Sequence, residues 1–210
     1  MDSMGFVPTA SSFVLVLCDL GGVAVECGAD QLVQGMSASL QRSFEEVQAI
    51  VYRNDLLIPF ELGEMTPQRY YEGLRDELKF SWSYEQFVSA WNSILRENAG
   101  VIRLLNQLHS RYRIAALSNT NVLHLEYISA MPSLAVMDDW VASCKVGLRK
   151  PDPKIYHLAL ARLGVEPRQA LYIDDRPEFV EAARQVGLTS IQCADARQLE
   201  QSLREVGAFC

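Results

Sequence analysis

The sequence predicts an α/β protein: a Rossmann-like, doubly wound parallel sheet core carrying an inserted α-helical cap. Three observations lead there. An apolar run from Phe13 to Leu17 passes at once into Cys18-Asp19 and a Gly21-Gly22 turn, the pattern of a strand buried on both faces. From Glu26 to Asn98 apolar residues recur at helical spacing, with no convincing strand. Beyond Ala99, short apolar runs alternate with helical segments of about ten to fifteen residues, which argues for parallel strands joined by crossover helices. The predicted division is residues 1–25 and 99–210 for the core and 26–98 for the cap.

Taken in order, residues 1–12 are small and polar and read as a loose lead into the first strand. The cap segment repeats helix start signals. Ser43-Phe44-Glu45-Glu46 and Ser83-Tyr84-Glu85-Gln86 have the form of capping boxes, and Thr66-Pro67 offers an N-cap followed by proline at the first helical position. Tyr70, Leu74 and Leu78 share one helical face, as do Phe87, Trp91, Ile94 and Leu95. A helix over Ala99–Ser110 leads to a strand, Arg113–Leu117, that ends in Ser118-Asn119-Thr120-Asn121. Asp138-Asp139 reads as a loop before a weaker strand, Trp140–Ala142. Asp152-Pro153 opens a helix that Gly164 closes. Ala170–Ile173 is a strand ending in Asp174-Asp175, Pro177 opens a helix ending at Gly187, Thr189–Gln192 is the next strand, and Asp195–Gly207 is a last amphipathic helix.

Composition narrows the partners. The 210 residues carry 19 Lys and Arg against 26 Asp and Glu, a net charge of −7 with no basic run, which counts against nucleic acid and anionic membranes. A hydrophobic fraction of 49% is that of an ordinary globule. The five cysteines, Cys18, Cys27, Cys144, Cys193 and Cys210, are odd in number and lack C-x-x-C spacing, so they suit a reducing compartment rather than disulfides or zinc. Asp2 stands where a secretory signal would be basic, and no apolar run is long enough to span a bilayer. The expectation is a cytoplasmic protein, monomeric or homodimeric.

The strand ends carry the chemistry. In a parallel sheet all carboxyl ends share one edge, where open α/β sheets bind their ligands. Asp19, Ser118-Asn119 and Asp174-Asp175 therefore converge, and Lys150-Pro151 follows the glycine-containing loop Val146–Arg149. Taken singly, each has a plainer reading: a solvated aspartate, a strand-to-helix cap, a surface lysine. Together, three carboxylates in one crevice need a cation between them, and hard oxygen ligands suit Mg²⁺. The lysine and the hydroxyl-amide pair supply donors for an anion, and an aspartate can act as nucleophile to form an acyl phosphate.

These stretches resemble the four motifs of the haloacid dehalogenase-like (HAD) hydrolase superfamily: Asp19 after its strand, Leu117–Thr120, Gly147–Tyr156, and Tyr172–Asp175. They stand in the family's order, and the helical insert, with Gly63-Glu64-Met65-Thr66, is similar to its helical cap. The resemblance implies Asp19 as nucleophile and Mg²⁺ ligand, with the Gly21 carbonyl as a second ligand. It implies Ser118 and the Asn119 amide on the transferring phosphoryl group, and Lys150 holding nucleophile and phosphoryl together. Asp175 would bind the metal, with Asp174 beside it as ligand or support. The substrate implied is a small phosphorylated metabolite such as a sugar phosphate.

One departure stands out. Phosphatases of this family usually carry a second aspartate two residues after the nucleophile as general acid and base, and here that position is Gly21. Two alternatives follow: a weakly active or non-enzymatic phosphate-ligand-binding protein, for which Gly21 is the support, and a 2-haloacid dehalogenase, which the Asp174-Asp175 pair opposes. Glu26 reads as a solvated carboxylate rather than a replacement acid. Arg53 reads as a solvated arginine, and His109, His124 and His157 as surface or packing residues. Tyr70, Tyr71, Trp82, Tyr84 and Trp91 read as the core of the cap, with room for one or two of them to face a substrate.

Overall fold

The computed structural model describes residues 13–209. The expected loose lead at 1–12, including Asp2, and the cysteine at 210 lie outside the described residues.

Five strands form one parallel sheet, and its order explains where the polar groups meet. The strands are β1 (Leu15–Cys18), β4 (Arg113–Ser118), β5 (Asp139–Ala142), β6 (Ala170–Asp174) and β7 (Thr189–Gln192), arranged β5-β4-β1-β6-β7. Every neighbouring pair is parallel, with Cys18 level with Ala116 on one side and Ile173 on the other. The chain leaves β1 for β4 on one side and later returns to β6 on the other. The carboxyl end of β1 is thus the topological switch point, the position at which such sheets open a crevice.

Strand alternation gives each face its own core. Leu15, Leu17, Ala115, Leu117 and Tyr172 meet Ile155, Tyr156 and Leu160 of α9 (Pro153–Leu163) and Ala183 of α10 (Pro177–Gln185). Val16, Cys18, Ile114, Ala116 and Ile173 belong to the larger cluster with α6 (Ala99–His109) and α11 (Ala196–Glu205). Burial on both faces is why β1 lacks polar alternation. Val14 departs from the expectation: it is 46% exposed, because it precedes the paired residues Leu15–Cys18. Asp139 likewise belongs to β5 rather than to a loop, paired level with Ala115 and salt-bridged to Arg113.

The insert holds α1 (Ala29–Leu40), α2 (Phe44–Val51), α3 (Asn54–Glu61), α4 (Pro67–Leu78) and α5 (Tyr84–Asn92). Its centre is aromatic. Tyr70 and Trp91 are fully buried with ring centroids 5.3 Å apart, Phe60 stacks on Tyr70 at 4.5 Å, and the Tyr70 hydroxyl donates to the Val51 carbonyl. Ser83 and Gln86 form the reciprocal capping box, and Thr66 caps α4. At α2 only the Ser43 half is present, since the Glu46 carboxylate turns toward Arg42.

The expectation of no strand between Glu26 and Asn98 is corrected by a two-stranded antiparallel ribbon. β2 (Val25–Cys27) pairs with β3 (Leu95–Glu97), where the chain enters and leaves the helices. Three residues with one buried side chain each are too short for an alternating pattern to register in sequence. The connection from β4 runs through α7 (Val122–Ser129), and β5 passes into the single turn α8 (Ser143–Val146). Among the described residues no helix is long and apolar enough to cross a membrane.

Candidate active site

At the switch point the backbone of Asp19 still bonds to the sheet, through its N–H to the Ile173 carbonyl at 2.8 Å. The chain then turns back on itself, with the Gly22 N–H donating to the Val25 carbonyl and the Val25 N–H to the Leu20 carbonyl. Gly22 sits at φ +82°, and a Cβ on it would come within 2.4 Å of Asp175 Oδ2. Both the turn and the close approach of Asp175 therefore require glycine at 22. Gly21 is different: a Cβ there would meet nothing within 4 Å.

Lys150 joins the two halves of the site. Its Nζ lies 2.9 Å from Asp19 Oδ1 and 2.6 Å from Asp174 Oδ2, and its side chain is fully buried. Two features hold it. Asn119 makes a reciprocal pair with the Lys150 backbone, accepting its N–H on Oδ1 at 2.8 Å and donating Nδ2 to its carbonyl at 2.9 Å. The aromatic rings of Phe179 and Tyr172 stand 5.0 and 5.8 Å from the ammonium. The Asn119 side chain is thus a clamp on the lysine loop rather than a group reaching into the crevice.

The adjacent aspartates separate by environment. Asp174, at the end of β6, takes hydrogen bonds from Lys150 Nζ, the Tyr172 hydroxyl and the Arg176 N–H. Asp175, one residue past the strand, has an Oδ1 that is buried and has no hydrogen-bond partner. Oxygens of Asp19, Asp174 and Asp175 all lie within 4.8 Å of one another, a spacing that fits a shared hard cation. Burial and the Asp174 charge push the Asp19 carboxyl up to about 6, against the opposing pull of Lys150. Burial, then Asp174, also raises Asp175. Three carboxylates around one ammonium leave the cluster short of positive charge, and the orphaned Asp175 oxygen marks where a cation fits.

Beside this cluster lies a cavity of about 230 Å³ between sheet edge and insert. Ser118, Asn119, Leu20 and Gly21 form its floor; Tyr52, Leu57, Glu61 and Trp91 come from the insert. Two of its residues carry more than the sequence suggested. His124, in the first turn of α7, stacks on Trp91 with centroids 5.1 Å apart and sets Nε2 3.1 Å from the Trp91 carbonyl. Burial lowers its pKa to about 4, so it is a neutral wall. Glu61, at the end of α3, pairs with Arg149 of the core at 2.8 Å. The only signal for His124 was its place just after the Ser118–Asn121 motif; for Glu61 it was its nearness to Gly63. Tyr172, which fixes Asp174, read merely as a strand residue.

Of the other candidates, Arg53 pairs with Asp55 and Glu77 on the surface of the insert, and Glu26 is exposed in β2. His109 pairs with Asp138, and His157 is exposed. Cys18 and Cys193 are buried free thiols, Cys27 is exposed and Cys144 half-buried.

The family model for haloacid dehalogenase-like hydrolases matches residues 15–187. Flavin mononucleotide hydrolase 1 of Arabidopsis thaliana is 30% identical over 138 residues, 65% of this chain and 51% of that protein. A phosphorylated carbohydrates phosphatase of Thermotoga maritima is 32% identical over 110 residues, 51% of each chain. The chain thus spans about half the length of both relatives. Among solved structures, a HAD family enzyme from Bacteroides thetaiotaomicron, in complex with magnesium and inorganic phosphate, superposes with a TM-score of 0.77 at 24% identity, covering 86% of this chain and 93% of that one. That likeness is one of fold.

Proposed function

The chain belongs to the haloacid dehalogenase-like hydrolases, and from that premise we propose that it is a Mg²⁺-dependent phosphomonoester hydrolase acting on a small metabolite through an aspartyl phosphate on Asp19. The observation that carries the reading is Asp175 Oδ1, buried and unpartnered within 4.8 Å of two further carboxylates. An uncompensated acidic cluster of this kind is costly unless a cation completes it.

Asp19, Asp175 and the Gly21 carbonyl would hold the ion. Bound there, Mg²⁺ supplies charge neutralisation between the carboxylates and the phosphoryl oxygens. Asp174, which accepts from three donors, orients Lys150 and supports the ion from beside it. Lys150 keeps the Asp19 carboxylate turned toward the phosphorus and offsets the negative charge brought by the ester. The Ser118 hydroxyl and the Asn119 backbone N–H would donate to non-bridging oxygens, while the Asn119 side chain keeps Lys150 in register. Splitting the displacement into attack by Asp19 and later hydrolysis replaces one difficult step with two easier ones.

Size and lining support a small leaving group. A cavity of about 230 Å³ lies below the ~300–1,000 Å³ of sites for drug-sized ligands. Relatives named as phosphatases of phosphorylated carbohydrates and of D-ribitol 5-phosphate support a sugar or polyol phosphate as the class to test first.

The test is phosphate release from a panel of phosphorylated metabolites, with and without Mg²⁺, by the wild type and by Asp19→Asn. Metal-dependent release that Asp19→Asn abolishes is expected. Equal release by both proteins removes Asp19 from the reaction, and full activity in a chelator removes the metal.

A further inference from the structure

An ordinary alkyl phosphate leaves as an alkoxide, and that oxygen needs a proton as its bond to phosphorus breaks. The sheet edge is poorly supplied. Asp19 is committed to attack, Asp174 already takes three hydrogen bonds, and residue 21 offers no side chain although there is open space for one. The titratable side chains in the cavity wall are Cys27, Tyr52, Glu61 and His124. Desolvation raises Tyr52 and also the thiol of Cys27, although that residue as a whole is exposed, so both hold their protons too tightly to act as neutral-pH acids. His124 is uncharged, with Nε2 turned to the Trp91 carbonyl. Glu61 is the remaining group: it lines the cavity opposite Ser118 and Gly21, and burial raises its carboxyl from the ordinary glutamate value.

Its position is fixed from the core side. Ser143 Oγ donates to the Glu61 carbonyl at 2.6 Å and accepts the Thr120 N–H at 2.9 Å, which ties Glu61 to the strand end two residues after Ser118. Arg149 Nη2 holds Oε2 at 2.8 Å, leaving Oε1 to carry a proton. Gly63 seats the following turn against the Cys144 carbonyl, so closely that a Cβ would stand 2.2 Å from it. The charged and titratable groups around the carboxyl are Arg149, Arg176 and Lys150 from the core, Tyr70 from α4 and Cys144 from α8. The cations oppose the effect of burial without cancelling it.

We infer that Glu61, brought over the sheet edge by the insert, is the general acid and base of this site and fills the role that glycine at 21 cannot. The inference rests on the phosphomonoester reading above. In the first step an Asp19 oxygen bonds to phosphorus, the phosphorus–alkoxy bond breaks, and the Glu61 proton goes to the departing oxygen, giving the free alcohol. In the second, the Glu61 carboxylate takes a proton from water as the water oxygen bonds to phosphorus. The Asp19–phosphorus bond then breaks, giving inorganic phosphate and returning both side chains to their starting states.

Glu61→Gln tests this, because the amide oxygen can still accept from Arg149 while the carboxyl that gives and takes the proton is lost. Two esters are compared: a sugar phosphate, whose alcohol needs protonation, and p-nitrophenyl phosphate, whose phenolate does not. For Glu61→Gln we expect turnover of the sugar phosphate to fall roughly 10²-fold or more. With p-nitrophenyl phosphate we expect a burst of one equivalent of nitrophenolate followed by slow turnover. Adding Gly21→Asp in the Glu61→Gln background should recover at least part of the lost rate. Unchanged kcat for both esters, or equal losses without a burst and with a lowered Tm, would overturn the inference and leave the hydrolase reading standing. No phosphate release by the wild type from either ester would overturn both.

Discussion

Lys150 and Asp174 meet at 2.6 Å with both side chains fully buried, and the same ammonium lies 2.9 Å from Asp19. A buried ion pair contributes little net stability when intact, yet removing one partner strands the other in a low-dielectric interior. Lys150→Met leaves two carboxylates uncompensated. It should destabilise the fold by about 3–5 kcal/mol in urea titration and abolish phosphate release. Lys150→Met/Asp174→Asn should regain part of that stability without regaining activity. A single variant as stable as the wild type would show that the buried charges are compensated elsewhere.

Gly21 and Gly22 are neighbours with opposite constraints. Gly22→Ala places a methyl 2.4 Å from Asp175 Oδ2 at φ +82°, whereas Gly21→Ala faces open space. The first should cost about 1–2 kcal/mol in backbone strain, displace Asp175, and abolish the rise in Tm produced by added Mg²⁺. Gly21→Ala should keep that rise, since its carbonyl is retained. Thermal unfolding of both variants across a Mg²⁺ titration separates them; equal Mg²⁺ responses would remove Asp175 from the metal site.

His124 gives a pH signature independent of catalysis. Its folded pKa, lowered by burial to about 4, lies below the ordinary 6.5. The unfolded chain therefore binds more protons between those values, so stability is undiminished above pH 7 and falls as pH drops through that window. The ring keeps some exposed surface, so the loss between pH 7 and 5 should be about 1–2 kcal/mol. Denaturation at the two pH values checks this, and His124→Gln should flatten the difference. An unchanged slope in that variant would assign the acid sensitivity to other groups.

The parts of the site legible in sequence are those where chemistry and chain punctuation coincide. Asp19, Ser118 and Asp174 each end an apolar run, and a parallel sheet brings such ends to one edge whatever their separation. What failed to register depends on contacts between distant segments. Asp174 and Asp175 are chemically identical in sequence; only strand register, which buries one among Lys150, Tyr172 and the Arg176 N–H, tells them apart. Glu61 lies 88 positions from Arg149, and apart from its nearness to Gly63 nothing local distinguishes it from a solvated helix-end glutamate. The Asn119 side chain looked like a ligand donor because its use by the Lys150 backbone is equally long-range.

The seating of the insert on the core can be tested at two glycines that share a backbone conformation but differ in surroundings. Gly63 and Gly147 have φ of +74° and +65°; a Cβ on Gly63 would lie 2.2 Å from the Cys144 carbonyl oxygen, while one on Gly147 would meet nothing within 4 Å. Alanine at either pays the left-handed backbone cost of about 1–2 kcal/mol. At 63 it must also push against backbone rather than a flexible side chain, so the turn after Glu61 has to lift from α8. Gly63→Ala should therefore be the more destabilising by about 1 kcal/mol or more. It should also slow turnover, because Ser143 and Arg149 could no longer hold Glu61 in place, whereas Gly147→Ala should lose stability alone. Urea titration and phosphate-release kinetics on the two variants decide it: equal stability losses with equal kinetics would mean that contact at Gly63 does not govern how the insert meets the sheet.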